Sequence, residues 1–181
     1  MTCIVGVETK RGILLGADSL GGESTYWTAT TSAEPKVFRI GPYVLGFTTS
    51  FRMGDLLRYH AALPEPPAGA RALHRHMVVK VVPVLRATLK DHGFATTRDG
   101  GEVGGDFLIG VRGALFHVQS NYAVQRATFG YDAAGCGAQS ALGALSCAKG
   151  VPRARLRAAL EAAERHNMGV RGPWHFVEVR S

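Results

Sequence analysis

Short apolar runs separated by turn residues occupy the first 50 residues of the chain. Residues 2–9 alternate in polarity and are rich in β-branched side chains, and residues 13–17 form a second apolar run after a turn at residues 10–12. Two such runs joined by a short turn predict a β-hairpin. The same pattern predicts further strands at residues 25–31, 36–40 and 43–48, with the Gly41–Pro42 turn between the last two.

Helical spacing follows this sheet-rich segment. Residues 51–62 predict a first helix, and residues 71–92 carry apolar side chains at spacings of three and four, which predicts a longer second helix. Pro83 lies inside the longer helix and is expected to kink or interrupt it, because proline lacks the N–H that a helix interior uses. Gly93 is a natural end for that helix.

The second half of the chain repeats the order of strands followed by helices. The pattern contains no alternation of single strands with single helices, so a doubly wound parallel sheet is not expected. We predict an α+β sandwich of two antiparallel sheets with helix pairs outside them. No linker or repeat divides the chain, so residues 1–181 are predicted to form a single domain. The predicted strands are 106–112, 114–119, 122–129 and 174–179, and the predicted helices are 138–148 and 152–166.

Composition narrows the class of protein. Apolar residues make up 46% of the 181 residues and charged residues 19%, which excludes a disordered chain. The longest apolar runs are too short for a membrane span, and the N-terminus lacks the charged and apolar regions of a signal peptide. The odd number of cysteines, at Cys3, Cys136 and Cys147, indicates reduced thiols in the cytoplasm. The histidines are scattered, so neither a metal site nor a cofactor is predicted.

One trio of polar residues carries candidate chemistry. Thr2 would become the N-terminal residue if Met1 were removed, Asp18 ends the second strand, and Lys36 begins a later one. A threonine hydroxyl is a weak nucleophile that needs a base, and the α-amine of an N-terminal threonine titrates near neutral pH. A lysine cation would stabilise the alkoxide, and a carboxylate would hold that lysine in place. These residues therefore supply the parts of an N-terminal nucleophile.

Ordered motifs connect this trio to a known family. They are Thr2–Val7, Gly16–Ser19, Pro35–Ile40, Val44–Phe47 and Gly135–Leu142. With these segments in family order, nearly the whole chain resembles the proteasome β-subunits and their bacterial relative HslV, and in particular the compact bacterial proteasome homologues. These are N-terminal threonine peptidases of the N-terminal nucleophile (Ntn) hydrolase fold. The resemblance implies a four-layer αββα sandwich.

The resemblance also implies residue roles. Thr2 falls on the nucleophile, Asp18 on its acidic partner and Lys36 on the catalytic lysine. The backbone N–H of Thr49 falls on the oxyanion hole, where relatives usually carry glycine. A threonine there either narrows the substrate channel or demands a different backbone dihedral. The residues around 20–22, 32–36 and 46–50 are expected to form the specificity pocket.

Three positions depart from the family pattern. Cys136 replaces a serine whose hydroxyl lies near the threonine amine, and a thiol is a weaker hydrogen-bonding partner. Asn167 and Val170 fall where proteasomes carry an aspartate and a serine that support the nucleophile. HslV-like members also vary there, so these departures indicate either that branch or a weakened enzyme.

The resemblance further implies the partners. The substrates would be peptides or unfolded proteins, the subunits would form a homo-oligomer of two stacked rings, and an ATP-dependent unfoldase would assist. No nucleic-acid or membrane partner is expected.

Several alternatives stay open. Cys3 is a competing nucleophile, but its use would require removal of two residues, and strand alternation turns it away from the Thr2 face. A catalytically silent, ring-forming scaffold of the same fold is a second reading. A basic module that binds nucleic acid, suggested only by the net charge of +7, is a third.

Overall fold

The computed structural model describes residues 1–23, 28–94, 96–98 and 100–180. Most strands lie within two residues of the apolar runs that predict them. They are β1 (Cys3–Thr9), β2 (Gly12–Ala17), β3 (Leu20–Glu23), β4 (Thr28–Thr31), β5 (Val37–Ile40), β6 (Tyr43–Phe47), β7 (Thr96–Arg98), β8 (Gly101–Val103), β9 (Phe107–Val111), β10 (Ala114–Val118), β11 (Val124–Arg126), β12 (Tyr131–Gly135) and β13 (His175–Arg180).

The helices fall where the spacing predicts them. The long helix is continuous but changes its hydrogen bonding over Met77–Val81, a π-helical turn that ends two residues before Pro83. The expected interruption takes this form, since a π turn rearranges the backbone ladder next to a residue that cannot donate to it. The helices are α1 (Phe51–His60), α2 (Ala70–His76), α3 (Val82–Asp91), α4 (Ala138–Cys147) and α5 (Pro152–His166).

Two antiparallel sheets form the centre of the molecule. A four-stranded sheet has the order β12-β1-β2-β13, and a five-stranded sheet has the order β11-β10-β9-β6-β5. Strands β3 and β4 form a separate hairpin, as do β7 and β8. Because β1 lies between β2 and β12, the start of the chain is held on both sides. Ile4 pairs with Ala17 on β2, and Cys3 pairs with Gly135 on β12.

Three apolar clusters hold these elements together. One joins the five-stranded sheet to α1, α2 and α3, and a second joins the four-stranded sheet to α4 and α5. The third lies between the two sheets and includes Ile4, Leu15, Val37, Val44 and Leu108, all at most 3% exposed. Burial of these aliphatic side chains, each worth about 1.5–3 kcal/mol, fixes the facing of the two sheets.

The structure corrects one predicted strand. Residues 122–129 do not form a single strand, because the chain leaves the five-stranded sheet after Arg126 and enters the four-stranded sheet at Tyr131. The strand Tyr131–Gly135 was not predicted, since its Ala-Ala-Gly ending has low β propensity. In a segment for which the sequence predicts no strand, Gly101–Val103 pairs with Thr96–Arg98. Of the predicted strand 25–31, residues 28–31 are confirmed, and residues 25–27 lie outside the described part.

Candidate active site

The β1–β2 hairpin places Thr2 and Asp18 side by side. Thr2 precedes β1 and Asp18 follows β2, so the antiparallel register of the hairpin brings these two residues together at its open end. The Cys3 amide donates to Asp18 Oδ1 at 2.9 Å, and the Asp18 amide donates to the Cys3 carbonyl at 3.2 Å. The second carboxylate oxygen accepts from the Leu20 amide at 3.0 Å. The Asp18 carboxylate is therefore held rigidly beside Thr2.

Lys36 enters the same site from the five-stranded sheet. It precedes β5, and the Phe47 amide donates to its carbonyl at 3.1 Å. The Lys36 ammonium donates to Asp18 Oδ1 at 2.9 Å, to the Leu20 carbonyl at 2.7 Å and to Thr2 Oγ1 at 3.1 Å. Asp18 Oδ2 at 3.1 Å and the Met1 carbonyl at 3.4 Å also lie within hydrogen-bond distance, so the three ammonium protons are shared among five acceptors. The structure thus brings Thr2, Asp18 and Lys36 into one cluster.

Burial governs the electrostatics of this cluster. Thr2 is 5% exposed, Lys36 1% and Asp18 0%. Loss of solvent lowers the pKa of the Lys36 ammonium, and the negative charge and hydrogen bond of Asp18 oppose that shift. Because Lys36 and Thr2 are both shielded from solvent, a proton of the Lys36 ammonium interacts strongly with the Thr2 hydroxyl oxygen.

The environment of Thr2 depends on Met1. In this structure Met1 is present, so the Thr2 nitrogen is an amide, and the Thr2 hydroxyl donates to the Met1 carbonyl. The Thr2 amide donates to Cys136 Sγ at 3.2 Å. Removal of Met1 would take away that carbonyl and convert the amide to an amine within reach of both the hydroxyl and the thiol.

The predicted oxyanion segment lies at the end of β6. Thr49 has φ 76°, a left-handed conformation that glycine adopts freely and threonine does not. The Thr48 amide donates to the Asp106 carbonyl at 3.1 Å, and the Ser50 amide donates to the Thr48 carbonyl at 2.9 Å. Thr49 thus carries a β-branched side chain on a backbone conformation that favours glycine.

Cys136 and Asn167 form a second layer around Thr2. The Cys136 thiol also lies 3.4 Å from the Thr2 carbonyl, as donor, and 3.7 Å from the Gly169 carbonyl. Asn167 donates to the Cys136 carbonyl at 2.8 Å and accepts from the Gly169 amide at 2.8 Å. Val170 has no polar role; it is 2% exposed and belongs to the apolar cluster under α5.

Two cavities flank Thr2. The larger, of about 470 Å³, is lined by residues from all three segments expected to form the pocket, including Gly21, Ser32 and Ser50. Thr28 and Thr30 also line it. They were not predicted, because only the β3–β4 pairing brings them to the cavity. The smaller, of about 260 Å³, is lined by Met1, Thr2, Thr48, Thr49, Asp106, Gly135 and Cys136. Asp106 was not predicted.

The Cys3 side chain lies away from the cluster of Thr2, Asp18 and Lys36. It is fully buried in the cluster under α4 and α5, and burial, with the charge of Asp18, raises the pKa of its thiol to about 12. A thiol that stays protonated is a poor nucleophile. Within the described ranges, no group of three or more histidine, cysteine, aspartate or glutamate side chains is placed to hold a metal ion.

Comparison with solved structures gives matches over the full chain. BPH from Thiobacillus denitrificans, solved in complex with epoxomicin, matches with a TM-score of 0.77 and 24% identity, covering 99% of this chain and 100% of that chain. HslV from Trypanosoma brucei matches with a TM-score of 0.69 and 15% identity, covering 99% and 100%. The chain has the proteasome-like Ntn-hydrolase fold. Anbu from Pseudomonas aeruginosa, solved as a helical assembly, matches with a TM-score of 0.67 and 17% identity, covering 99% and 81%.

These neighbours confirm the resemblance predicted from the ordered motifs: all are proteasome-like Ntn hydrolases. Comparison of the sequence with protein-family models and with curated proteins finds no match. At the identities found, the likeness establishes the shared fold. Among the described helices, none combines the length and apolar character needed to cross a bilayer.

Proposed function

We propose that this protein is a threonine endopeptidase that hydrolyses peptide bonds with Thr2 as an N-terminal nucleophile after removal of Met1. The contact between Lys36 Nζ and Thr2 Oγ1, at 3.1 Å inside a buried cluster with Asp18, is the observation that carries this proposal. A structural lysine needs no contact with a threonine hydroxyl, whereas a nucleophile needs a cation where its negative charge develops.

The reaction begins with proton transfer within Thr2. The free amine takes the hydroxyl proton, directly or through one water, and Oγ1 attacks the carbonyl carbon of the scissile bond. The Lys36 ammonium stabilises the developing alkoxide, and Asp18 fixes the position of that ammonium. The backbone N–H of Thr49 donates to the oxyanion of the tetrahedral intermediate.

Collapse of the intermediate completes the cycle. The C–N bond breaks, and the Thr2 amine returns its proton to the leaving amine, which leaves an ester on Thr2 Oγ1. Water then attacks this ester, again with the amine as base, and the peptide acid departs while Thr2 recovers its hydroxyl proton. Neither a metal nor an organic cofactor is needed for these steps.

We extend the proposal to the arrangement of the whole chain. The three apolar clusters support a four-layer αββα sandwich in one domain spanning residues 1–181. By analogy with HslV, whose fold this chain shares, the proposal includes a homo-oligomer of stacked rings, peptide or unfolded-protein substrates, an ATP-dependent unfoldase partner and a cytoplasmic location. The helical assembly of Anbu supports self-association of this fold, in a different arrangement.

A catalytically silent scaffold of the same fold is the second candidate. The thiol of Cys136 stands beside the Thr2 nitrogen, and a buried apolar Val170 replaces a polar support. Both features weaken the polar surroundings of the nucleophile. Such a scaffold would assemble but would not react at Thr2.

Covalent labelling separates the two candidates. Intact mass spectrometry first shows whether Met1 is absent, and the processed chain is then treated with epoxomicin, the compound present in the BPH structure. A peptidase gains one inhibitor mass, located at Thr2 by peptide mapping, and the Thr2→Ala variant gains none. Retention of Met1, or a processed and folded chain without an adduct, contradicts the proposed mechanism. Thr9→Ala, which changes a threonine at the far end of β1, is the matched control and should label normally.

A further inference from the structure

Thr49 has an unusual backbone for a β-branched residue. Within the described part of the chain, Thr49, Arg112 and Tyr122 are the residues other than glycine with positive φ, at 76°, 49° and 64°. A side chain branched at Cβ is more restricted than others and is rarely found in the left-handed region. Residues held in such conformations concentrate at functional sites, where the surrounding structure enforces them.

The neighbours of Thr49 hold both its backbone and its hydroxyl. The adjoining Thr48 is anchored to the Asp106 carbonyl, and the Thr48 hydroxyl lies 3.1 Å from the Thr49 hydroxyl. A Cβ added at Gly105 would fall 3.1 Å from Thr49 Oγ1, so the glycine leaves the space that this hydroxyl uses. The Thr49 side chain is exposed, yet its direction is set by these contacts.

Thr49 lies where the two cavities beside Thr2 meet. It lines both the cavity of about 470 Å³ and the cavity of about 260 Å³, and Met1 and Thr2 also line both. Thr49 is therefore at the boundary between the two cavities beside the nucleophile. A glycine at this position would retain the backbone N–H and remove the side chain.

We propose that the Thr49 side chain is a specificity determinant that restricts the substrate residue before the scissile bond to side chains unbranched at Cβ. This inference rests on the proposed function, in which the Thr49 amide holds the oxyanion of that residue. Its Cα is bonded directly to the attacked carbonyl carbon, so its Cβ comes close to the Thr49 side chain. A second substituent on the substrate Cβ would meet the Thr49 substituents, whereas an unbranched side chain can turn into the larger cavity.

Met1 supports this choice of substrate class. Met1 stands directly before Thr2, as the substrate residue would, and lines the larger cavity. Its side chain reaches Gly22 on the cavity wall, because a Cβ added at Gly22 would collide with the Met1 Cε. The larger cavity thus already has in its lining a side chain that is unbranched at Cβ and reaches Gly22.

Paired fluorogenic peptides test the inference on the processed, assembled protein. The peptides differ only in the residue before the scissile bond, Met in one and Val in the other, and the measured quantity is the ratio of their kcat/KM values. We expect the wild type to favour Met by at least about tenfold, in the range that a misfitting methyl group produces. Thr49→Gly should reduce that ratio to about twofold or less, since it removes the obstructing substituents.

Two controls separate the bulk of Thr49 from its other properties. Thr49→Val keeps the branched shape without the hydroxyl and should keep the wild-type ratio. Arg112→Gly relieves a positive φ away from the site and should change neither the ratio nor the rates. A ratio unchanged in Thr49→Gly, or a Thr49→Val ratio equal to that of Thr49→Gly, overturns the inference.

Epoxomicin labelling distinguishes this failure from failure of the proposed function. If Thr2 of the wild type forms an adduct and the Met-to-Val ratio does not respond to Thr49→Gly, the peptidase proposal stands and the inference about Thr49 is wrong. If the processed wild type forms no adduct and cleaves neither peptide, both are wrong. A Thr49→Gly chain that is folded, labels at Thr2 and still rejects Val also overturns the inference.

Discussion

The Lys36 ammonium joins two residues that belong to one hairpin: it lies 3.1 Å from the Thr2 hydroxyl and 2.9 Å from the Asp18 carboxylate. Lys36 itself comes from the other sheet, so the contact exists only when the two sheets face each other. The apolar cluster between the sheets, with Ile4 and Val37 next to the polar site, thus positions the candidate nucleophile as well as stabilising the fold.

Removal of the Lys36 charge should abolish reactivity at Thr2. Lys36→Met alone would leave Asp18 buried and unpaired, at a cost of about 3–5 kcal/mol, so the variant for this test is Lys36→Met combined with Asp18→Asn. We expect the rate of epoxomicin adduct formation to fall by at least about 100-fold, because the alkoxide loses its cation. Intact mass against time measures the rate, and circular dichroism checks the fold. Lys90→Met, an exposed lysine, is the control, and a folded double variant that labels at the wild-type rate would refute the role of Lys36.

Alkylation of Cys136 should block the site. Cys136 is exposed and its sulfur lies 3.2 Å from the Thr2 nitrogen, so a carboxamidomethyl group there would fill the smaller cavity. We expect treatment with iodoacetamide to prevent epoxomicin labelling in the wild type but not in Cys136→Ser. Cys147 is also exposed and lies on α4, so Cys147→Ser should remain sensitive. Equal sensitivity of Cys136→Ser and the wild type would contradict this prediction.

Loss of the Asn167 side chain should destabilise the loop that carries Cys136. Asn167→Ala removes one hydrogen bond to the Cys136 carbonyl and one from the Gly169 amide. At about 1 kcal/mol for each bond, we expect the free energy of unfolding to fall by about 1–2 kcal/mol. Urea unfolding measures the change. Asn121→Ala, which removes one exposed hydrogen bond that the Asn121 side chain accepts from the Ala123 amide, should cost less. Equal losses in the two variants would argue against the bridging role of Asn167.

Alkaline pH should destabilise the protein through Cys3. Burial raises the pKa of the Cys3 thiol from 9.0 to about 12, so the folded state keeps a proton that the unfolded state loses. The stability from the protonated thiol is fully present below about pH 9 and is lost as the pH rises from there towards 12, at up to about 1.4 kcal/mol per pH unit.

Guanidinium unfolding at pH 8, 9 and 10 measures this loss. We expect the stability advantage of the wild type over Cys3→Ala to shrink as the pH rises. Cys147→Ala, at an exposed thiol, should show a constant difference from the wild type over the same range. A constant difference for Cys3→Ala as well would mean that the Cys3 thiol is not kept protonated by the fold.

The local order of elements could be read from the chain because periodicity is a local property. The helix predicted at about residues 152–166 agrees with α5. The hairpin of residues 2–17 is predicted by two apolar runs and a turn. The strand at Tyr131–Gly135 was not predicted, since its alanines and glycine have no strand preference of their own. They become a strand only because β1 offers them an edge.

For the candidate site, too, some residues were predicted from the sequence and others depend on tertiary contacts. Thr2, Asp18 and Lys36 were identified from residue types and ordered motifs, and the structure brings them into one cluster. Thr28 and Asp106 were not predicted. Thr28 reaches the larger cavity through the β3–β4 hairpin, and Asp106 reaches the smaller one because its carbonyl, just before β9, accepts from the Thr48 amide.

The sequence by itself determined the chemistry that is present: a threonine behind a removable Met1, a carboxylate at a strand end and a lysine at another. Only the tertiary structure decided their relation. The burial of Lys36 to 1% exposure, its contact with Thr2 and the left-handed backbone of Thr49 result from packing between the two sheets and from hydrogen bonds between distant segments. Such contacts join residues that are far apart in the chain, and the local sequence pattern does not determine the distances between them.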